Sequence, residues 1–381
     1  MPLDPAMNTT ELKPIQPVDL AAERAQLGPA LEDAVLRVLR SGAYVLGPEV
    51  QAFETEFAAY QRTKHAVAVA TGTDALLLGL RALGVQHGDE VITTPFTFFA
   101  SAGSIAWMGA VPKFVDVDPE TALMLEDQVA SAIGPRTKAV MPVHLYGQLA
   151  DMNKLSALCK QRGLKLIEDS AQAHGAERDG YRSGEKGDCA AFSFYPTKNL
   201  GAAGEGGAVL SNDGEVACHV ARLRDHGSVA KYHHGEVGTN SRLQGIQGAV
   251  LRVKLPHLER WNERRRQIAA RYTAAFRSSD KVRPLTVLPG SKPCFHQYTA
   301  RLVGGKPRDT VLAAMAAEKI SVAVHYPKPV HLQDAARPWG VGPGDFPNAE
   351  RLAQEVVCLP VHPFLSDSDV DRVAEALLRH A

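Results

Sequence analysis

The sequence predicts an α/β protein: a mostly parallel seven-stranded sheet covered by helices, followed by a smaller α/β unit. Three observations predict it. Between about residues 65 and 210, short β-branched runs alternate with longer amphipathic ones. Gly or Asp sits at the ends of most of the short runs, where a crossover to a helix must begin. After residue 215 the texture changes to a long, charged helical stretch and then to a second, shorter set of strand-like and helix-like segments.

Taken in order, the opening MPLDPAMNTTELKP is rich in Pro, Thr and Asn, so residues 1–17 are expected to form a loose arm ahead of VDL at Val18 to Leu20. The expected strands are HAVAVA (65–70), EVITT (90–94), KFVDVD (113–118), KAVMPVHLY (138–146), LKLIED (164–169), CAAFSFY (189–195) and GAVLS (207–211). Stretches such as ALLLGLRALG and MNKLSALCKQRG carry helical spacing between them. These elements assign residues 18–250 to one large domain. A strongly helical run, AVLRVKLPHLERWNERRRQIAARYTAAF, is expected to break or bend at Pro256 and to link two domains. Beyond it, HQYTARLV and ISVAVHY read as strands, while RDTVLAAMAAEK and SDVDRVAEALLRH read as helices. Residues 251–381 are therefore assigned to a linking helix and a small C-terminal domain.

At 381 residues the chain is long enough for a large and a small domain with a buried site between their elements. Its 42 basic side chains cancel its 42 acidic ones, which gives no support for a nucleic-acid or anionic-membrane partner. The five cysteines are odd in number and show no CxxC pairing, and there is no HExxH, so no metal site is expected. With no apolar run of membrane-spanning length and no basic start leading into an apolar stretch, the protein is expected to be cytoplasmic.

Ligands of an open parallel sheet bind where strand ends converge and the following helices offer unpaired N–H groups. Three strand ends carry chemistry. Thr71-Gly72-Thr73-Asp74 follows HAVAVA and precedes a helix, which suits an anion, or simply caps the helix. Glu168-Asp169-Ser170-Ala171-Gln172 ends an apolar strand on two acids that must reach solvent or meet a cation, or else cap the next turn. Lys198, in Ser193-Phe194-Tyr195-Pro196-Thr197-Lys198-Asn199, lies between an aromatic strand and the glycine-dense run 201–207. It is either a surface lysine or an amine held where its pKa falls and it can form an imine. An imine-forming lysine, an acid for a ring nitrogen and a phosphate site are together the protein's contribution to pyridoxal phosphate chemistry.

On these residues the chain resembles the DegT/DnrJ/StrS family of sugar aminotransferases, over nearly its whole length from VDL onward. The resemblance is carried by SGAYVLGPEVQAFETEFA, TGTDALLLGL, GDEVITTPFTFFAS, PVHLYGQLADM, IEDSAQAHGA, SFYPTKNLGAAGEGGAV, GTNSRLQGIQGA and HYPKPVHLQ. It implies an aspartate-aminotransferase-like (fold type I) architecture and pyridoxal 5'-phosphate as cofactor. Lys198 would hold the cofactor and Asp169 would keep its ring nitrogen protonated. Phe98 would stack on the ring, Gln172 would contact the ring hydroxyl, and Gly72, Thr73 and Ser193 would hold the phosphate. Asn240, in the NSRL motif, would reach into the neighbouring subunit's site of a homodimer. Many family members have two acids after NSRL, where this chain has Gln244 and Gly245. His325, Tyr326 and His331, in VAVHYPKPVHLQ, would lie near the sugar.

The resemblance implies transfer of an amino group, with glutamate as donor, to a nucleotide-linked keto-sugar. NSRL, LRVKLPHLERWNERRR, HYPKPVHLQ and GDFPNAE look most like the enzymes for dTDP-3-keto-6-deoxyhexoses. KYHHGEVGTNSRL also resembles the branch acting on UDP-linked 3-keto-N-acetylhexuronic acids, and a 4-amino product or an aminocyclitol stays open. A dehydrating branch of the fold has His at the lysine position, which Lys198 argues against. A pyridoxal-phosphate-binding regulator without turnover is a further alternative. A nicotinamide dehydrogenase would need GxGxxG after the first strand, and TGTDAL is not that.

Overall fold

The computed structural model describes residues 13–381. Seven strands form the central sheet: β1 (His65–Val69), β2 (Glu90–Thr93), β3 (Val111–Phe114), β4 (Thr137–Val140), β5 (Lys165–Asp169), β6 (Cys189–Ser193) and β7 (Gly207–Ser211). Their spatial order is β1-β7-β6-β5-β4-β2-β3. Strand β7 is antiparallel to both β1 and β6, and the other neighbours are parallel. All seven runs singled out in the sequence contribute a strand to this sheet. The 138–146 run is cut short at Val140, because Pro142 has no N–H to offer a ladder.

Alternation along the strands separates two cores. Val67, Val69, Ile167, Ala191 and Val209 pack with Leu76 and Leu80 of the Gly72–Ala82 helix and with Val216 and Val220 of the Gly214–Leu223 helix. Their neighbours Ala68, Ala190, Phe192, Ala208 and Leu210 face the other way. They meet Phe53 and Phe57 of the Pro48–Gln61 helix and Leu251 of the Gly245–Lys254 helix. Phe53, Phe57, Phe192 and Phe194 are fully buried, and each contributes about 1.5–3 kcal/mol relative to exposure. Two edge contacts in this cluster, Phe53 with Phe194 and Phe57 with Phe192, each have centroids 5.2 Å apart.

Pro256 does what its chemistry requires. The long helical run is split into Gly245–Lys254 and Leu258–Phe276 by a tight turn at Leu255–His257. The second of these helices packs its Ile268, Tyr272 and Phe276 against a small antiparallel sheet, β8 (Val282–Pro284), β9 (Tyr298–Leu302) and β10 (Val356–Leu359). Helices Arg308–Ala317 and Asp367–His380 complete that core with Val311, Met315, Val370, Val373 and Leu377. Strand β10 and the helices between residues 20 and 61 are not marked in the sequence reading.

One expected strand does not form. Among the described residues, ISVAVHY makes two isolated bridges, Ile320 with Ile15 and Ala323 with Cys358. The segment leaves the sheet so that His325 and Tyr326 can line a cavity, and Pro327 and Pro329 cannot supply ladder donors. Most of the arm expected over residues 1–17 lies outside the described residues, but Ile15 is 3% exposed and packs into the core beside the β8–β10 sheet. Among the described residues all five cysteines are free, and no helix is long and apolar enough to cross a membrane.

Candidate active site

The C-terminal ends of β1, β2, β5 and β6 open into one cavity of about 670 Å³, within the range of small-molecule sites. It is lined by Gly72, Thr73, Phe98, Asp169, Gln172, Ser193, Lys198, His325 and Tyr326, nine of the eleven residues singled out in the sequence. The tertiary fold brings to one space groups that span some 250 positions of chain.

At one end the Gly72–Ala82 helix begins, capped by Thr71, whose side chain accepts from Asp74 N at 3.0 Å. Its first turn faces Ser193 at the end of β6. Gly72 is required by that approach: a Cβ there would stand 2.5 Å from Ser193 Cβ and 2.9 Å from its hydroxyl. Gly207 is equally confined, since a Cβ would meet Thr71 O at 2.3 Å. Free helix N–H groups beside the hydroxyls of Thr73 and Ser193 make an anion cradle.

Asp169 is buried, and its carboxylate accepts from Ser101 Oγ at 2.7 Å and from Ala171 N at 3.2 Å. Ser101 in turn is 2.8 Å from Thr97 Oγ1. Burial raises the Asp169 pKa, opposed by the Ser101 hydrogen bond, the Ala171 N–H, and the charges of Lys198 and His144. A cation placed beside this carboxylate would bring it back down. Lys198, after the turn that carries its N–H to Tyr195 O, has its pKa lowered to about 8 by burial, while Asp169 pulls it upward. An amine in that range has a usable neutral fraction near neutral pH.

Gln172 is fixed by its neighbours, accepting from Tyr146 N at 2.6 Å and donating to Tyr326 OH at 3.3 Å. Phe98 is 59% exposed, so it is not a core aromatic, and its ring lies 6.0 Å from that of Tyr326. The donor set therefore fits pyridoxal phosphate: an anion cradle, a buried carboxylate, an amine of lowered pKa and an uncovered aromatic face.

Two singled-out residues lie elsewhere. His331 is buried, paired through Nε2 with Glu350 at 3.1 Å and packed 4.9 Å from the Phe346 ring, so it supports the loop instead of facing the cavity. Asn240 is exposed, accepts from Arg242 Nε at 3.0 Å, and does not line its own chain's cavity. Nor does it cap a helix, because the next helix starts only at Gly245. Its neighbour Ser241 makes the local link instead, accepting from Ala70 N at 3.0 Å and donating to Asp74 at 2.8 Å. Ser101, Thr97 and His296 also line the cavity and were not singled out. PFTFFAS held the signal for the first two, but only the approach of Ser101 to Asp169 gives it meaning.

The DegT/DnrJ/EryC1/StrS aminotransferase family matches residues 26–378. The chain is 45% identical to the pleiotropic regulatory protein of Geobacillus stearothermophilus, covering 94% of this chain and 96% of that one. It is 43% identical to the dTDP-3-amino-3,4,6-trideoxy-alpha-D-glucose transaminase of Streptomyces venezuelae, covering 94% of each. To the UDP-N-acetyl-3-dehydro-alpha-D-glucosamine 3-aminotransferase of Acidithiobacillus ferrooxidans it is 41% identical, covering 97% and 99%. Its fold superposes with a TM-score of 0.93 on the crystal structure of S. venezuelae DesV in complex with a ketimine intermediate, at 43% identity over 96% of this chain and 98% of that one. With its fold and nearly its whole length matched in this way, the chain belongs to the DegT/DnrJ/EryC1/StrS aminotransferase family.

Proposed function

We propose that this chain is a pyridoxal 5'-phosphate-dependent sugar aminotransferase that moves the amino group of glutamate onto the keto carbon of a dTDP-linked 3-keto-6-deoxyhexose. The observation that carries the reading is Lys198 and Asp169 lining one cavity, the amine with its pKa lowered and the carboxylate held by Ser101. When bound, the cofactor ring supplies a sink for the electron pair left as a substrate carbon loses its proton. Gly72, Thr73 and Ser193 hold its phosphate, Asp169 holds the proton on its ring nitrogen, Gln172 meets its hydroxyl, and Phe98 covers its face. Lys198 Nζ takes the proton from the substrate carbon and returns it, as base and then acid. Tyr326 and His325 face the sugar.

The functional unit in this reading is a homodimer with shared sites. Among the described residues, the cavity of one chain is lined by a single lysine and no arginine, too little positive charge for both a cofactor phosphate and a substrate diphosphate. A second surface hollow of about 670 Å³ adjoins it and shares Thr73, Phe98 and Ala100. Around it Trp107 and Val237 are each 84% exposed, an apolar face suited to a second copy of this chain. That copy would bring Asn240 to the phosphate.

The 41% identity to an aminotransferase of a UDP-linked 3-keto-N-acetylhexosamine and the 38% identity to one of a UDP-linked 3-keto-N-acetylhexuronic acid support a second reading, a UDP-linked 3-keto sugar such as the N-acetylhexuronic acid, with a 4-keto substrate as a further variant. A pyridoxal-phosphate-binding regulator without turnover would hold the cofactor on the same amine and acid, so turnover is what separates it from an enzyme. The test is to incubate the enzyme with glutamate and a panel of dTDP- and UDP-linked 3-keto and 4-keto sugars and to weigh the products by mass spectrometry. A dTDP-3-amino-6-deoxyhexose supports the first reading. Amination of only a UDP-linked or 4-keto sugar replaces it, and no amination of any member overturns the aminotransferase assignment.

A further inference from the structure

Asn199, the residue after Lys198, is buried and ties three elements together. Its Nδ2 donates to Asn262 Oδ1 at 2.8 Å and to Cys294 O at 2.9 Å, which uses both amide hydrogens. Asn262 donates its own Nδ2 to His174 O at 2.8 Å. A backbone carbonyl can only accept, so the carbonyls of Cys294 and His174 fix the orientation of both amides. The end of Asn199 that meets His296 Nδ1 at 3.2 Å is therefore its oxygen. An oxygen demands a donor, so the proton of His296 sits on Nδ1. Burial holds the ring's pKa well below the ordinary histidine value, with Lys198 the next contributor, so a second proton is disfavoured. His296 lines the cavity with Lys198, and its Nε2 has no partner among the described residues.

We propose that His296 is a positioning residue, whose bare Nε2 accepts a hydrogen bond from the Lys198 amine when that amine is free to carry a proton. Lys198 gains positive charge as it takes the proton from the substrate carbon. A lone pair directed at that amine stabilises the charged form more than the neutral one, so the contact lowers the barrier to transfer. Asn199 and Asn262 act by holding the tautomer. Were the Asn199 amide reversed, its nitrogen would face Nδ1, Nε2 would carry the proton and the lone pair would be lost.

This inference rests on the transamination reading, and its test separates the two. In protein labelled with ¹⁵N-histidine, long-range proton–nitrogen spectra of the apoprotein should show His296 with a protonated Nδ1 and an unprotonated Nε2 at neutral pH. A protonated Nε2 or an imidazolium overturns the proposal whatever the activity. In loaded enzyme, His296→Phe should slow the glutamate half-reaction about tenfold or more. It should also enlarge the kinetic isotope effect with α-deuterated glutamate, while the KM for glutamate changes little. His296→Gln, which can donate to Asn199 and still present an oxygen, should recover most of the rate. Wild-type turnover with an unchanged rate and isotope effect in His296→Phe overturns the proposal and leaves the aminotransferase reading standing. Equal loss in His296→Gln also overturns it, by assigning the residue a packing role. Absence of turnover in the wild type counts against the proposed function itself, whatever the spectra show.

Discussion

Glu168 and Asp169 are neighbours at the end of β5, yet their carboxylates serve opposite sides of the strand. Glu168 accepts from His144 Nε2 at 2.8 Å, Ser183 Oγ at 2.9 Å, Gly184 N at 3.1 Å and Gly187 N at 2.9 Å, a closed cage. Asp169 accepts from Ser101 and Ala171 and borders the cavity. Two acids that look alike in sequence therefore call for opposite experiments. Glu168→Gln should lower stability by about 3 kcal/mol, because it breaks a saturated buried cage, and should keep the activity of the folded fraction. Asp169→Ala and Asp169→Asn should melt near the wild type and lose most of the rate. Thermal melts paired with activity per folded molecule check both, and near-normal turnover in both Asp169 variants would place the ring partner elsewhere.

Lys198→Ala and Lys198→Arg should each abolish transamination, the first for want of an amine and the second because guanidinium stays protonated. The lowered pKa of Lys198 adds a pH dependence. Only the neutral amine attacks a carbonyl, so the rate at which apoprotein takes up pyridoxal phosphate should rise with pH up to the lowered Lys198 pKa of about 8 and flatten above it. Stopped-flow absorbance across the range would show it, and a rate still climbing steeply near the ordinary lysine pKa of about 10.4 would contradict the burial argument.

Gly72→Ala should weaken cofactor retention. Its methyl would have to push Ser193 aside at the phosphate cradle, at a cost of about 1–3 kcal/mol. Equilibrium dialysis against pyridoxal phosphate measures the change, and wild-type affinity would mean that the cradle lies elsewhere.

Tyr326→Phe should raise the KM for the keto-sugar and leave the glutamate half-reaction intact, since the hydroxyl sits at the cavity edge beside Gln172. His331→Ala should instead lower the melting temperature, because it breaks the buried pair with Glu350 and the Phe346 contact. Half-reactions followed separately would distinguish the two. A selective rise in sugar KM in His331→Ala would return that residue to the substrate.

Mixing Lys198→Ala chains with Asn240→Asp chains should restore activity from two nearly inactive parents. In a hybrid dimer with shared sites, one site carries both defects and the other neither. If mass spectrometry confirms exchange and no activity returns, Asn240 serves no partner site.

The sequence by itself determined the seven main strands, the break at Pro256 and nine of the residues around the cavity. These depend on short-range rules: alternation along a strand, the missing N–H of proline, and strand-to-helix turns that begin a helix at an anion cradle. The packed structure decided matters that no local pattern records. Ser101 reaches Asp169 across 68 positions, and His296 reaches Asn199 across 97. VHYPKPVH reads the same for His325 and His331, but one lines the cavity and the other is buried against Glu350. ISVAVHY has the pattern of a strand and lacks a neighbour along most of its length. Which groups meet across such distances is set by how sheets and helices pack into one interior, where each buried donor must find an acceptor and each close approach must find a glycine.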